Sequence, residues 1–179
     1  MSGPIRPFER SLPMQLMRAR EAVMARFRPH LKARSLSDQQ WRIVRALSET
    51  DALEIVELST RCCIHPASLS RMLPALERDG LVMRQGHARD QRRSVMSLTA
   101  RGRRLFREMG PESEAIYAAL ARDIGVARLS QLYGMLDTLI ATLERTPVVN
   151  QKVGSEKIAP RKTRLAKVAS RARRARSKR

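Results

Sequence analysis

Two stretches in the middle of this chain carry side chains of the kind that read nucleic acid. In the first, apolar residues fall at Leu69, Met72, Leu73 and Leu76, the three-and-four spacing of a helix with one buried face. The opposite side holds Ala67, Ser70, Arg71 and Arg78. Small side chains let such a helix sit deep in a DNA major groove, and an arginine beside them reaches a base edge or a phosphate. Ser68, Ser70, Arg71 and Arg78 are therefore candidate DNA contacts, with Ser70 and Arg71 the pair placed to read bases. In the second stretch, Ala88-Arg89-Asp90-Gln91-Arg92-Arg93, a guanidinium from Arg92 suits a narrow A·T-rich minor groove. Arg93 adds charge, and Asp90 is near enough to hold Arg92 in a fork-like ion pair. The plain alternatives are an amphipathic surface helix with a solvated arginine and a solvated, mobile loop.

The flanking residues give these stretches a scaffold. Leu58, Cys62 and Cys63 close one short helix, Pro66 suits the first position of the next, and the chain turns at Cys63-Ile64-His65. Asp79-Gly80 ends that helix where a left-handed cap is cheap. Leu81–Arg84 and Ser94–Leu98 then read as two short strands separated by nine residues rich in Arg, Gly and Asp. A basic hairpin tip beside a recognition helix makes a wing. The expected fold is mainly α with a small β-wing, a winged helix-turn-helix with N- and C-terminal dimerisation helices.

Outside this lobe, Ser11 can cap a helix striped by Leu16, Ala19, Val23, Met24, Phe27 and Leu31, with a kink or break expected at Pro29. Ser37-Asp38-Gln39-Gln40 is a capping box opening a helix through Trp41, Val44, Leu47 and Ser48. Asp51 starts a loop, and Glu54 to Cys63 form a bracing helix. Thr99 caps a long helix carrying Leu105, Met109, Ile116 and Leu120, which Gly110-Pro111 is expected to kink or split. A last helix runs from about Val126 to Arg145 with Leu129, Leu132, Leu136, Leu139, Ile140 and Leu143 on one face. The first helix and the last two have more apolar surface than a small winged helix needs, so they predict a homodimer reading a pseudo-palindrome. The expected boundaries are a disordered 1–10, a domain over 11–146 and a basic disordered tail over 147–179. Within the domain, dimerisation helices span about 11–33 and 99–146 and the DNA-binding lobe about 37–98.

Composition narrows the class. At 179 residues and 42% hydrophobic content one domain with a core fits, and no apolar run approaches the roughly 20 residues that cross a bilayer. Residues 1–10 lack the apolar core of a secretory signal, so a cytoplasmic, nucleoid-associated protein without membrane contact is expected. Of the net charge of +19, the segment after Arg145 holds +11, from twelve Lys and Arg against the single acid Glu156. Both parts favour a polyanion, and double-stranded DNA would be bound with steep salt dependence. Three separated histidines (His30, His65 and His87), two adjacent cysteines and no phosphate loop or nucleophile motif give no basis for an enzyme, a metal site or a cofactor.

Gln39-Gln40-Trp41-Arg42-Ile43, Glu77-Arg78-Asp79-Gly80-Leu81-Val82, Asp90-Gln91-Arg92-Arg93 and Ser97-Leu98-Thr99-Ala100-Arg101-Gly102 together resemble the MarR family of winged-helix regulators over about residues 11–146. Ala19-Arg20-Glu21-Ala22 and Phe27-Arg28-Pro29 resemble the homoprotocatechuate-degradation repressors within it. The resemblance implies a dimeric repressor that releases DNA on binding a small aromatic acid, with Ser70 and Arg71 facing the groove, Arg92 as the wing arginine and Asp90 as its partner. Pro74 within the recognition helix and the tail after Pro147 depart from the family pattern.

The same resemblance implies an effector cleft between the dimerisation helices and the DNA-binding lobe. Arg20, on one stripe with Leu16, Met24 and Phe27, needs a partner: a ligand carboxylate, or ordinarily Glu21 or an acid of the other subunit. His30, Trp41 and Arg45 are candidates to complete the pocket, Trp41 being either a flat wall for an aromatic ring or plain core. A hydroxyphenylacetate follows from the resemblance, while a hydroxynicotinate satisfies the same chemistry. Two readings of other classes stand beside this one. Cys62 and Cys63 would serve a redox sensor, and the basic tail a less specific architectural DNA-binding protein.

Overall fold

The computed structural model describes residues 5–87 and 90–146, and for residues 87 and 90–93 the backbone alone. The chain divides into two units, Met1–Leu132 and Tyr133–Arg179. The disordered tail expected over 147–179 lies outside the described residues, as does the start of the N-terminal segment. Phe8–Arg10 forms one 3-10 turn, where the sequence predicts no order.

Helix α1 runs over Leu12–Ala33 and α2 over Asp38–Ser48. The capping box is present in full: the Gln40 amide donates to Ser37 Oγ at 3.2 Å, and the Ser37 amide donates to Gln40 Oε1 at 2.9 Å. Ser11 is the N-cap residue of α1 but makes no side-chain cap bond: its hydroxyl donates to the Phe8 carbonyl at 2.8 Å, and Pro13, in the first turn, has no amide to offer it. Only the last part of α1 is buried, at Phe27, His30 and Leu31, against α2 and α5.

A two-residue strand β1, Leu53–Glu54, follows, and then α3, Ile55–Arg61. The bracing helix is shorter than the sequence predicts because Glu54 is drawn into the sheet, paired opposite Val95. The turn into α4, Pro66–Arg78, is a Schellman motif. The Ile64 amide donates to the Ser59 carbonyl and the Cys63 amide to the Thr60 carbonyl, each at 3.0 Å. Cys63 takes the left-handed position at φ 48°, which costs a side-chain-bearing residue on the order of 1–2 kcal/mol. His65 Nδ1 then accepts from the Ala67 amide at 3.3 Å and opens α4.

Strands β2, Val82–His87, and β3, Asp90–Leu98, form the hairpin, and β1 adds to β3 in the order β1-β3-β2. The strands are longer than predicted: Gln85, Gly86 and His87 pair opposite Val95, Ser94 and Asp90, with a register shift between Gly86 and His87, and β3 begins at Asp90 with residues that show no apolar alternation. Gly80, at φ 65°, provides the left-handed stop after α4. Thr99 caps α5, Ala100–Ile124, by accepting from the Gly102 amide at 3.0 Å. Helix α6, Val126–Arg145, follows Gly125 and buries none of its residues.

Helices α1, α4 and α5 run on through Pro29, Pro74 and Pro111, so of the kink or break expected at Pro29 and the kink or split expected at Pro111, the break and the split do not occur. Each proline faces solvent, so the carbonyl that loses its amide partner can be hydrated. Buried neighbours on either side, such as Leu73 and Leu76 around Pro74, hold the helix in register.

Candidate nucleic-acid interface and the arginine-lined cavity

Burial of Leu69, Leu73 and Leu76 turns the other side of α4 outward. Ala67, Ser70, Arg71, Pro74 and Arg78 form an exposed stripe, with Ser68 exposed to one side of it. Among the described residues neither Arg71 nor Arg78 has an acidic partner, so both guanidiniums are open to an external anion. Glu77, by contrast, is engaged by Arg84 of β2 at 3.1 Å, which ties the hairpin to α4. Arg92, Arg93 and Asp90 stand on the backbone of β3; the expected Asp90–Arg92 pair lies outside the described residues.

A second site lies where α1, α2 and α5 meet. A cavity of about 160 Å³ is lined by Arg20, Val23, Met24, Phe27, Asp38, Trp41, Arg42, Arg45 and Tyr117. Five of the six residues picked out in the sequence as ligand candidates are thus brought together: Arg20, Met24, Phe27, Trp41 and Arg45. The sixth, His30, is not. It is buried on the α1–α5 contact, with Nε2 3.4 Å from Ser113 Oγ and Nδ1 2.6 Å from Glu112 Oε2. That second approach lacks the alignment of a hydrogen bond.

Three rings shape the walls. Phe27 and Tyr117 sit 5.0 Å apart at 59°, and Trp41 stacks on Phe106 at 5.9 Å and 28°, so Trp41 is at once core and wall. Arg20 has ordinary partners, Glu21 at 2.7 Å and Asp38 at 3.9 Å. Arg28 bonds both of these acids, and its hydrogen bond is the main reason the Glu21 carboxyl is held below the usual carboxylate range. Arg45 differs. Its Nη1 donates to the Tyr117 hydroxyl at 2.8 Å, and it has no acidic partner among the described residues. Arg42, which also lines the cavity, donates to the Cys62 carbonyl at 2.7 Å and likewise has no acidic partner among the described residues, so the cations open to an anion inside the cavity are Arg45 and Arg42 rather than Arg20. Sequence reasoning missed Asp38, which reads locally as helix capping, and Tyr117, whose α5 spacing marks core.

Cys62 is buried and Cys63 exposed, and both thiols are free. Burial pushes the Cys62 thiol up, which disfavours the thiolate that oxidation needs. Among the described residues no cluster of His, Cys, Asp or Glu could hold a metal ion, and no helix is long and apolar enough to cross a membrane.

A helix-turn-helix with a hairpin packed behind its second helix, and an open basic face on that helix, defines a winged-helix DNA-binding protein. Residues 36–94 match the MarR family model. Over 131 residues the chain is 39% identical to the homoprotocatechuate degradative operon repressor of Escherichia coli, covering 73% of this chain and 88% of that one. It is also 39% identical to the HTH-type transcriptional regulator FarR of Neisseria gonorrhoeae, covering 72% and 88%. Among solved structures, NadR in complex with 4-hydroxyphenylacetate is 38% identical with a TM-score of 0.66, covering 76% of this chain and 97% of that one. This chain belongs to the MarR family of transcriptional regulators.

Proposed function

We propose that this chain is a homodimeric, sequence-specific repressor, acting in the cytoplasm on aromatic-compound catabolism, that leaves its operator when a small aromatic carboxylate enters the cavity. The observation that carries the reading is the cavity itself: aromatic walls at Phe27, Trp41 and Tyr117, with Arg45 beside them lacking an acid among the described residues. One flat ring and one anion match that lining. A volume of about 160 Å³ is below the roughly 300–1,000 Å³ of drug-sized sites, which favours a single-ring occupant. The E. coli relative's name, an operon repressor, and the 4-hydroxyphenylacetate held by NadR agree with it.

The dimer has its own support. Helix α1 leaves Leu12, Leu16 and Met17 exposed, and α6 leaves Leu132, Tyr133, Met135, Ile140 and Leu143 exposed. Apolar faces of this extent mark association surfaces.

Titration of 4-hydroxyphenylacetate, with 6-hydroxynicotinate beside it, into the protein by calorimetry tests the effector. Arg45→Met removes the proposed carboxylate partner. Its ligand affinity should fall at least about tenfold, as expected for loss of a hydrogen bond to a charged group. Equal affinity in the variant and the wild type would place the carboxylate elsewhere.

A second reading, an architectural role through the tail, is favoured by one observation: +11 of the +19 net charge lies beyond Arg145. Deleting residues 148–179 should weaken binding to operator and scrambled duplex alike. The slope of log K against log salt should become shallower by about 0.9 for each phosphate the shortened chain no longer neutralises. An unchanged slope would mean that the tail does not engage the duplex.

A further inference from the structure

The cavity and the recognition helix are physically joined through one residue. Arg42 lines the cavity from α2, yet its Nη1 donates to the backbone carbonyl of Cys62, 2.7 Å away, at the C-cap of α3. The link is reciprocal, since Cys62 Sγ lies 3.7 Å from the Arg42 carbonyl oxygen. The end of a helix leaves carbonyls with no amide to accept from. In α3, Leu58, Ser59 and Thr60 find backbone amides across the turn, whereas Cys62 finds the guanidinium of Arg42. The very next residue is the left-handed Cys63, and two further on His65 opens α4. The turn that aims the recognition helix is therefore held by the side chain of a residue that also lines the cavity.

We propose that Arg42 is the positioning residue through which cavity occupancy is transmitted to α4: an anion in the cavity draws the guanidinium from the Cys62 carbonyl and loosens the α3–α4 turn. The exchange is chemically favoured, because a carboxylate offers the guanidinium a full negative charge and two acceptor oxygens, where the Cys62 carbonyl offers one neutral acceptor. Arg42 has no acidic partner among the described residues to oppose the move. The Cys62 carbonyl then loses its donor beside a residue held at positive φ, and the register between α3 and α4 relaxes. The transmission half rests on the effector reading above; the holding half does not.

Amide hydrogen exchange on the full-length protein, paired with operator affinity, tests both halves. Without ligand, Arg42→Met should speed exchange of the Cys63 and Ile64 amides by about tenfold or more, the equivalent of one missing bond to a charged donor, and weaken operator binding. Arg42→Lys keeps a single charged donor and should restore most of both. Adding 4-hydroxyphenylacetate to the wild type should speed the same amides, and add little in Arg42→Met. Wild-type exchange at these amides in ligand-free Arg42→Met overturns the proposal, whatever the ligand does. An equal response to ligand in variant and wild type overturns the transmission. Failure of 4-hydroxyphenylacetate to bind the wild type counts against that effector alone, and the ligand-free comparison still decides whether Arg42 holds the turn.

Discussion

Replacing Arg71 by alanine should cost between about fivefold and about 150-fold in operator affinity at physiological salt, the range of one good base or charged contact worth roughly 1–3 kcal/mol. Burial fixes its direction. Leu69 and Leu73 are fully inside the core, so the helix cannot rotate to hide Arg71, and among the described residues no acid competes for it. Fluorescence anisotropy with DNA from upstream of the chain's own gene and a scrambled duplex separates two roles. If Arg71 reads a base, specific affinity falls while scrambled affinity barely moves. If it holds a phosphate, both fall together and the salt slope drops by about one phosphate's worth. Arg78, further along the same exposed stripe, is the comparison, and Arg92→Ala probes the wing. Unchanged affinity in both Arg71→Ala and Arg92→Ala would mean that the recognition geometry is wrong.

Gly102→Ala should destabilise the domain by about 3 kcal/mol or more, the upper end of the cost of forcing extra atoms into a packed site. A methyl group on Gly102 would lie 2.1 Å from the Leu81 carbonyl oxygen and 3.1 Å from both the Leu81 carbonyl carbon and Leu98 Cδ2. The first two are backbone atoms, so no rotamer change relieves the clash. The local geometry is also tightly held. Thr99 Oγ1 accepts from the Gly102 amide while its own proton goes to the Gly80 carbonyl at 2.5 Å. Relief therefore means lifting the first turn of α5 off the sheet and losing the Thr99 cap. Thermal unfolding should show Tm lowered by about 10 °C, at roughly 2–4 °C per kcal/mol for a chain of this size. Gly80→Ala is the contrast. Its added methyl would have only the Arg101 side chain nearby, at 3.8 Å, and its cost is the left-handed φ, about 1–2 kcal/mol. A Gly102→Ala variant melting within a few degrees of wild type would show that α5 and the sheet do not approach so closely.

What is legible in the sequence is short in range. Ser37 with Gln40, Thr99 with Gly102, the stop at Gly80 and the apolar spacing of α4 each depend on residues within one or two turns, and each forms as the local chemistry dictates. The prolines depart from their local reading for the complementary reason. Whether a proline breaks a helix depends on which way it faces, and burial decides that. The strand β1 depends on a partner more than forty residues away for Leu53, and the polar ends of the hairpin depend on ladder pairing at Gln85–His87, so neither carries an apolar pattern.

The sequence by itself determined the class of protein, because a recognition helix, its caps and a basic hairpin are written in contiguous residues. Only the tertiary structure decided the chemistry of the cavity. It brought Asp38 to Arg20, took His30 away to α5, brought Tyr117 to Arg45 and set Arg42 on the Cys62 carbonyl. Those pairings join residues up to 83 positions apart, and the core that closes those distances is shaped by side chains from every helix of the lobe at once.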